Sequence, residues 1–210
     1  MNPTRNSEFE KYDWTHDAIG TLEDFEPLRP LEIMLLQDLR KEHKQGTLLE
    51  IGCCYGRASL RFAQEGLKVV GIDTNASAIK KFNRFAGKMR LDAIAYCKDV
   101  QDYNLEDKSW DIIICEYTLH CLPKEYGEQL LHQIQRATKV GGYSLILLFT
   151  SEGNAFKSDV LNTNFHPLPR YLQAVYTIPD WTILQFQEDQ EKTKIGPLQT
   201  ASKILAKRLR

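Results

Sequence analysis

The chain alternates between two spacings of apolar residues from about residue 30 to residue 150. Short continuous apolar runs predict β-strands, whereas apolar residues that recur every three or four positions predict helices. The predicted strands are residues 47–51, 67–72, 92–97, 109–115 and 143–149, and the predicted helices are residues 30–44, 55–64, 75–86 and 124–138. Because the strands are apolar on both faces and helices occur between them, we expect a parallel sheet that helices cover on both faces.

The apolar pattern changes after residue 149. Residues 150–170 are rich in serine, asparagine, threonine and proline, which is typical of a loop, and residues 170–176 predict a short helix. Two more strands are predicted at residues 181–191 and 198–208, and the link between them is too short for a crossover helix, so they should pair antiparallel. The sequence therefore predicts a doubly wound α/β fold with a seven-stranded mixed sheet whose last strand is antiparallel.

The length and composition fit one globular domain. The chain has 210 residues, of which 42% are hydrophobic and 26% are charged. Residues 1–29 are polar with scattered aromatic side chains, so we expect an N-terminal arm or short helices there. One domain should follow at residues 30–210.

Charge and cysteine content narrow the class of protein. A formal net charge of −1 gives no general attraction to nucleic acid or to an anionic membrane. No apolar run approaches the roughly 20 residues of a membrane helix, and the N-terminus lacks the basic start and apolar stretch of a signal peptide. The cysteines lack the C-x-x-C spacing of a zinc ribbon. We therefore expect a cytoplasmic monomer or homodimer with reduced thiols and no metal.

A glycine loop follows the first predicted strand in the stretch LLEIGCCYGR. Gly52 and Gly56 allow a sharp turn, and the backbone amides at the start of the next helix can bind a negative or polar group. Asp73 ends the second strand about 20 residues later, where an acid can accept hydrogen bonds from ribose hydroxyls. Cys54 and Arg57 stand where the dinucleotide fingerprint G-x-G-x-x-G needs glycines, although Arg57 could still pair with a pyrophosphate. The loop and Asp73 together predict an adenosine-containing cofactor and argue against a nicotinamide-dependent oxidoreductase.

These residues resemble the cofactor-binding region of class I S-adenosylmethionine-dependent methyltransferases. The resemblance rests on Glu50-x-Gly52-x-x-x-Gly56 followed by VVGID, which ends at Asp73. Further stretches resemble the adenine segment, the fourth strand with its active-site edge, and the L-K-P-G-G turn of that family; they are CKDV, WDIIICE and KVGGY. The resemblance covers residues 30–150 and the final antiparallel pair. It implies a Rossmann-like fold with S-adenosylmethionine as cofactor, and the length and ending resemble tellurite-resistance-type and other small-molecule methyltransferases.

The resemblance also implies roles around the glycine loop. Gly52, Cys53 and Gly56 would pass close to the methionine part of the cofactor through their backbone. Glu50 would orient the loop or reach the cofactor's amino group through water, with an ion pair to a nearby cation as the structural alternative. Cys54 replaces the family's common middle glycine, and it is the one loop position that argues against cofactor binding.

The ends of the next strands would hold the nucleoside. Asp73 would bind both ribose hydroxyls, or serve only as a helix cap. Thr74 and Val100 would flank the adenine, and Asp99 would accept from its amino group unless it merely stabilises a turn. Glu116, at the end of the fourth strand, would line the methionine or acceptor pocket.

Candidate catalytic residues follow the fourth strand, because ligands of doubly wound folds bind beyond the carboxyl ends of the strands. Tyr117 and His120 are the predicted catalytic residues, and His120 could act as a base near neutral pH or simply pack in the core. His166 and Arg170 are weaker candidates in the loop after the fifth strand.

The predicted reaction is methyl transfer to a small-molecule acceptor by in-line displacement. The N/D-P-P-Y motif associated with amino-group methylation of nucleobases and glutamine is absent after the fourth strand, which disfavours nucleic acid as the substrate. Tyr12 and Trp14 could close over the cofactor as an aromatic lid. The alternative is a non-catalytic, methyltransferase-like domain that binds the cofactor or regulates another protein.

Overall fold

The computed structural model of the protein describes residues 24–42, 44–153, 162–177, 179–193 and 198–210. Tyr12 and Trp14 lie outside the described residues, as does most of the predicted N-terminal arm. The division of the chain at residue 29 and the aromatic lid therefore stay predictions.

Helices and strands alternate along the described chain much as the apolar pattern predicts. The described helices are α1 (Pro30–Lys41), α2 (Ser59–Gln64), α3 (Ala76–Lys88), α4 (Lys124–Ala137) and α5 (Tyr171–Val175). The described strands are β1 (Thr47–Ile51), β2 (Lys68–Asp73), β3 (Ala93–Cys97), β4 (Trp110–Glu116), β5 (Thr138–Gly153), β6 (Trp181–Lys192) and β7 (Leu198–Arg208). Short 3-10 turns at Val100–Asp102 and Leu119–Cys121 follow β3 and β4.

The strands form one sheet in the order β3-β2-β1-β4-β5-β7-β6. Strands β1 to β5 are parallel, and β7 lies between β5 and β6 and is antiparallel to both. The short link after β6 cannot carry a helix across the sheet, so β6 and β7 become neighbours. The predicted doubly wound, Rossmann-like mixed sheet with an antiparallel last strand is confirmed.

The sheet separates two apolar cores. Consecutive residues of β1 illustrate the arrangement, since Leu48 packs under α1, α2 and α3 on one face and Leu49 packs under α4 and α5 on the other. Both leucines are fully buried, as expected where helices cover both faces of a parallel sheet.

Several predicted boundaries were wrong, and the largest differences are at the start of α2 and at both ends of β5, which begins at Thr138 instead of residue 143. Helix α2 begins at Ser59 instead of residue 55, because residues 52–58 form a turn and the Glu50 carboxylate accepts a hydrogen bond from the Ser59 backbone N–H. Strand β5 runs to Gly153 and includes the start of the predicted loop, because its pairing with β7 continues to Gly153 opposite Gln199.

Candidate functional site

The predicted site residues meet at one edge of the sheet. Ile51 at the end of β1 is paired with Ile72 of β2 and with Cys115 of β4, so the three strands finish side by side. Gly52, Asp73 and Glu116 stand at or just beyond these ends. Their convergence follows from parallel pairing, which brings all carboxyl ends to the same edge.

Gly52 and Gly56 are required by the shape of the loop. Gly52 has a φ of +77°, and an added Cβ would lie 1.8 Å from the Thr118 Oγ1 atom. Gly56 has a φ of +88°, and an added Cβ would lie 2.5 Å from a ring carbon of Phe82. The Gly52 backbone N–H donates to the Ile72 carbonyl at 2.8 Å, which fixes the loop against β2. No side chain other than hydrogen fits at either position.

The two cysteines of the loop have different environments. Cys53 is buried, and its sulfur lies where a Cβ on Gly71 of β2 would come within 2.6 Å, so Gly71 makes room for the thiol. Burial raises the pKa of Cys53 well above its usual range, so the thiol stays protonated. Cys54 has a φ of 49°, a left-handed conformation that costs a non-glycine residue about 1–2 kcal/mol. Cys54 thus keeps the backbone conformation that a middle glycine would adopt.

Asp73 is connected directly to the glycine loop. Its Oδ2 atom accepts from the Cys54 backbone N–H at 2.9 Å, and its Oδ1 atom accepts from the Asn75 backbone N–H at 2.8 Å. Each carboxylate oxygen has a second lone pair, so Asp73 can still accept hydrogen bonds from a ligand. The helix cap of α3 is Asn75, whose side chain accepts from the Ser77 and Ala78 backbone N–H groups.

Glu50 lies beneath the loop and is buried. Its Oε2 atom accepts from the Ser59 backbone N–H at 3.2 Å and from the Ser59 hydroxyl, so Glu50 ties the end of β1 to the start of α2. These contacts are compatible with the predicted orienting role, and the predicted contact with the cofactor's amino group stays a prediction. Burial is the main cause that raises the pKa of Glu50 to about 7.

The raised pKa of Glu50 predicts a pH-dependent stability. A carboxyl group whose pKa is higher in the folded state stabilises the fold at low pH, and that stabilisation is lost as the pH rises through the folded pKa. Between pH 5 and pH 7 the contribution of Glu50 should fall by about 2 kcal/mol. Urea unfolding of the wild type and of Glu50→Gln across this range measures it, because titrations shared by both proteins cancel in the difference. A difference that does not change with pH would contradict the prediction.

The predicted adenine residues lie at the neighbouring strand ends. Thr74 directly follows β2 and is exposed, and Val100 is buried in the turn after β3. The Asp99 Oδ1 atom accepts from the Gln101 backbone N–H at 3.0 Å, so Asp99 stabilises this turn. Their contacts with adenine stay predictions.

A cluster of four charged side chains links α1 to the loop and to β4. Arg57 donates two hydrogen bonds to Glu32, at 2.8 Å and 2.5 Å, and one to Glu116 Oε2 at 2.9 Å. Arg29 also pairs with Glu116 Oε2. The side chains are 12% exposed for Arg57, 0% for Glu32 and 5% for Glu116. The sequence-based suggestion that Arg57 pairs with a pyrophosphate was wrong, because these carboxylates occupy its guanidinium.

Tyr117 and His120 belong to an aromatic cluster beside Glu116. The Tyr117 ring lies 5.0 Å from the Phe149 ring, and the His120 ring lies 4.9 Å from Phe149 and 5.7 Å from His166, between ring centroids. Tyr117 has a φ of 53°, and its hydroxyl donates to Glu191 Oε2 at 2.5 Å. The predicted catalytic residues are therefore brought together next to the strand end.

The pKa values of Tyr117, His120 and His166 determine whether each side chain is protonated at pH 7. Burial and the hydrogen bond to Glu191 raise the pKa of Tyr117, so its hydroxyl is a proton donor and not a base. Burial lowers the pKa of His120 well below its usual range and that of His166 to about 4, so both rings are neutral at pH 7. Arg170 is exposed and lies on the surface, where its backbone N–H donates to Glu188.

Three residues of this region were not singled out from the sequence. Arg29 directly precedes α1, Glu32 lies in its first turn, and Glu191 lies next to the end of β6. None of them belongs to the stretches that carry the family resemblance, and packing of α1 and β6 brings them to the site. In the described ranges, no group of three or more His, Cys, Asp or Glu side chains is arranged to hold a metal ion. None of the described helices has the length and apolar character needed to cross a membrane.

Comparison with known proteins identifies the region that holds this site. A family model described as "Methyltransferase domain" matches residues 48–142. A probable S-adenosyl-L-methionine-dependent methyltransferase TehB of Haemophilus influenzae is 27% identical over 68% of this chain and 48% of its own length. Phosphoethanolamine N-methyltransferase 1 of Triticum aestivum is 29% identical over 62% of this chain and 26% of its own. A 2-heptyl-1-hydroxyquinolin-4(1H)-one methyltransferase of Mycobacteroides abscessus is 28% identical over 61% and 56%.

Solved structures share the fold. The crystal structure of TehB from Haemophilus influenzae has a TM-score of 0.71 and 23% identity, and the alignment covers 87% of this chain and 63% of that one. A methyltransferase of Methanosarcina mazei has a TM-score of 0.65 and 21% identity over 88% and 99% of the two chains. The chain spans about a quarter to a little over half the length of the curated relatives described above. Residues 48–142 are therefore similar to methyltransferase domains, and the chain has the fold of class I S-adenosylmethionine-dependent methyltransferases such as TehB.

Proposed function

We propose that the protein transfers a methyl group from S-adenosylmethionine to a small-molecule acceptor by in-line displacement. The observation that carries the proposal is the hydrogen bond between Asp73 Oδ2 and the Cys54 backbone N–H. This bond holds a carboxylate with unused lone pairs beside the glycine loop, which supports its assignment to the ribose hydroxyls.

The residues of the site fit the cofactor. When bound, S-adenosylmethionine supplies an activated methyl group, so the protein needs mainly to align the acceptor and exclude water. We assign Gly52, Cys53 and Gly56 to the methionine side, where Glu50 orients the loop. Asp73 accepts from the ribose hydroxyls.

The adenine and acceptor sides complete the assignment. Thr74, Val100 and Asp99 surround the adenine at the ends of β2 and β3. Glu116 and Tyr117 form the border between cofactor and acceptor, and the neutral His120 ring lies behind them.

Several features support a small-molecule acceptor. The curated relatives include proteins named for phosphoethanolamine and for a hydroxyquinolone, both small molecules. The near-zero net charge gives no general attraction to nucleic acid. We propose that the protein acts in the cytoplasm as a monomer or homodimer.

The role of Asp73 can be tested through cofactor affinity. We expect Asp73→Ala to weaken binding of S-adenosylhomocysteine about tenfold or more, about 1.4 kcal/mol, because the ribose hydrogen bonds are lost. Isothermal titration calorimetry measures the affinity. Asp92→Ala is the matched control, since Asp92 is exposed and precedes β3 at the opposite edge of the sheet. Equal affinities of the wild type and Asp73→Ala would refute the assignment.

A non-catalytic cofactor-binding domain is the second candidate. The strained Cys54 in the loop and the Arg29 guanidinium over the Tyr117 ring favour it, because both depart from an open active site. Transfer of a labelled methyl group to any member of an acceptor panel of amines, phenols and thiols would exclude this candidate.

A further inference from the structure

Arg29 lies against two groups that recognise cations. Its guanidinium carbon is 5.0 Å from the centroid of the Tyr117 ring, and its NH1 atom pairs with Glu116 Oε2. An aromatic face attracts a cation through its quadrupole, and a carboxylate attracts it through its charge. The Arg29 side chain is 36% exposed, so it can leave this position without crossing the core.

One carboxylate oxygen of Glu116 is not used by Arg29 or Arg57. Its side chain is only 5% exposed, and both arginines bind the same oxygen, Oε2. The Oε1 atom is buried and has no hydrogen-bond partner within the described residues. Buried acceptors normally have a donor, so an unpartnered carboxylate oxygen at the edge of a ligand site indicates that a ligand supplies one.

The charge balance around Glu116 also favours a cation. Arg57 forms ion pairs with both Glu32 and Glu116. Its positive charge also acts on Glu50, where it partly offsets the effect of burial on the pKa. Arg29 supplies the second positive charge of the cluster. If the Arg29 side chain moved into solvent, Glu32 and Glu116 would share one guanidinium and the site would attract another cation.

We propose that Glu116 and the face of Tyr117 form the binding site for an ammonium group on the methyl acceptor, and that the Arg29 guanidinium fills this site in the present structure. The proposal rests on the proposed methyl transfer. The Oε1 atom of Glu116 accepts the ammonium N–H, and it is the atom that takes the proton which the nitrogen must lose, leaving the electron pair on nitrogen. Burial raises the pKa of Glu116, which suits it to accept a proton.

The test compares two probes of equal shape and different charge, which are ethanolamine, whose amino group is a protonated ammonium at neutral pH, and propan-1-ol. Calorimetric titrations use the wild type, Arg29→Ala, Arg29→Ala with Glu116→Gln, and Arg29→Ala with Tyr117→Leu. In the alanine variant the backbone N–H of residue 29 can still donate to the Glu32 carboxylate, so the N-terminal hydrogen bond of α1 is preserved. Arg40→Ala is the matched control, because Arg40 lies on the same helix and pairs with Glu65 on the surface.

We expect ethanolamine to bind Arg29→Ala about tenfold or more tightly than the wild type. The neutral probe should show no such gain, and Glu116→Gln and Tyr117→Leu should each cancel it. Arg40→Ala should match the wild type. Circular dichroism and thermal unfolding of each variant establish that it is folded before its affinity is interpreted.

Three results would overturn the proposal. They are equal binding of the two probes, no gain for Arg29→Ala, and a gain that survives Glu116→Gln. The titration is repeated with S-adenosylhomocysteine bound, and displacement of ethanolamine would assign the cation site to the cofactor's own ammonium group. Failure of the protein to bind S-adenosylhomocysteine would instead refute the proposed function, so the two failures are distinguishable.

Discussion

Replacement of Arg57 by methionine should lower the free energy of unfolding by about 3–5 kcal/mol at neutral pH. Methionine keeps much of the aliphatic volume of arginine but cannot pair with a carboxylate. Arg57 bridges Glu32 and Glu116, whose side chains are 0% and 5% exposed, so its loss leaves buried carboxylates with too little positive charge. Urea unfolding followed by circular dichroism measures the change.

The control for Arg57 is another arginine–glutamate pair on the surface. Arg40 binds Glu65 at 2.5 Å with side chains 59% and 32% exposed, so Arg40→Met should cost no more than about 1 kcal/mol. Adding Glu32→Gln to Arg57→Met should recover part of the loss, because one of the unpaired carboxylates is then neutral. Similar losses for Arg57→Met and Arg40→Met would show that burial of the cluster does not matter.

The second large effect is expected from Gly52→Ala. Alanine must adopt a φ of +77°, and its Cβ would lie 1.8 Å from Thr118 Oγ1. The backbone strain costs about 1–2 kcal/mol and the steric overlap adds about as much or more, so we expect a loss of about 3 kcal/mol or more in the free energy of unfolding. Urea unfolding at neutral pH measures this loss.

Gly66→Ala separates the two contributions. Gly66 has a φ of +91°, but no atom lies within 4 Å of an added Cβ, so only the backbone strain remains. Its expected cost is about 1–2 kcal/mol. The excess loss in Gly52→Ala therefore measures the close approach of Thr118, and equal losses at the two positions would contradict that contact.

The local pattern of apolar residues was sufficient to predict most of the fold. The alternation of apolar runs and helical spacing predicted the order of strands and helices, because it records which faces of each element are buried. The short link after β6 predicted an antiparallel final pair. The start of α2 at Ser59 depends on a contact with Glu50, and the end of β5 at Gly153 depends on pairing with Gln199, and neither contact belongs to the apolar pattern.

The glycine loop was also visible in the sequence. Gly52, Gly56 and Asp73 could be recognised because they follow strand ends at a characteristic spacing. The sequence did not show how Cys54 is accommodated. Cys54 takes a left-handed backbone conformation and still donates its N–H to Asp73. Its cost to the loop is therefore backbone strain and not a lost hydrogen bond.

By itself, the sequence determined the doubly wound sheet, the glycine loop and the acid that follows it, because each depends on residues close together along the chain. Only the tertiary structure decided the charged cluster that joins Arg29, Glu32, Arg57 and Glu116. The ion pairs of this cluster join residues that are 25, 59 and 87 positions apart along the chain. They meet because α1 packs beside the loop that joins β1 to α2, at the edge where β4 ends. Because the carboxylates are buried there, water stabilises their negative charge only weakly. The positions of the two arginines therefore determine which carboxylate is stabilised by an ion pair.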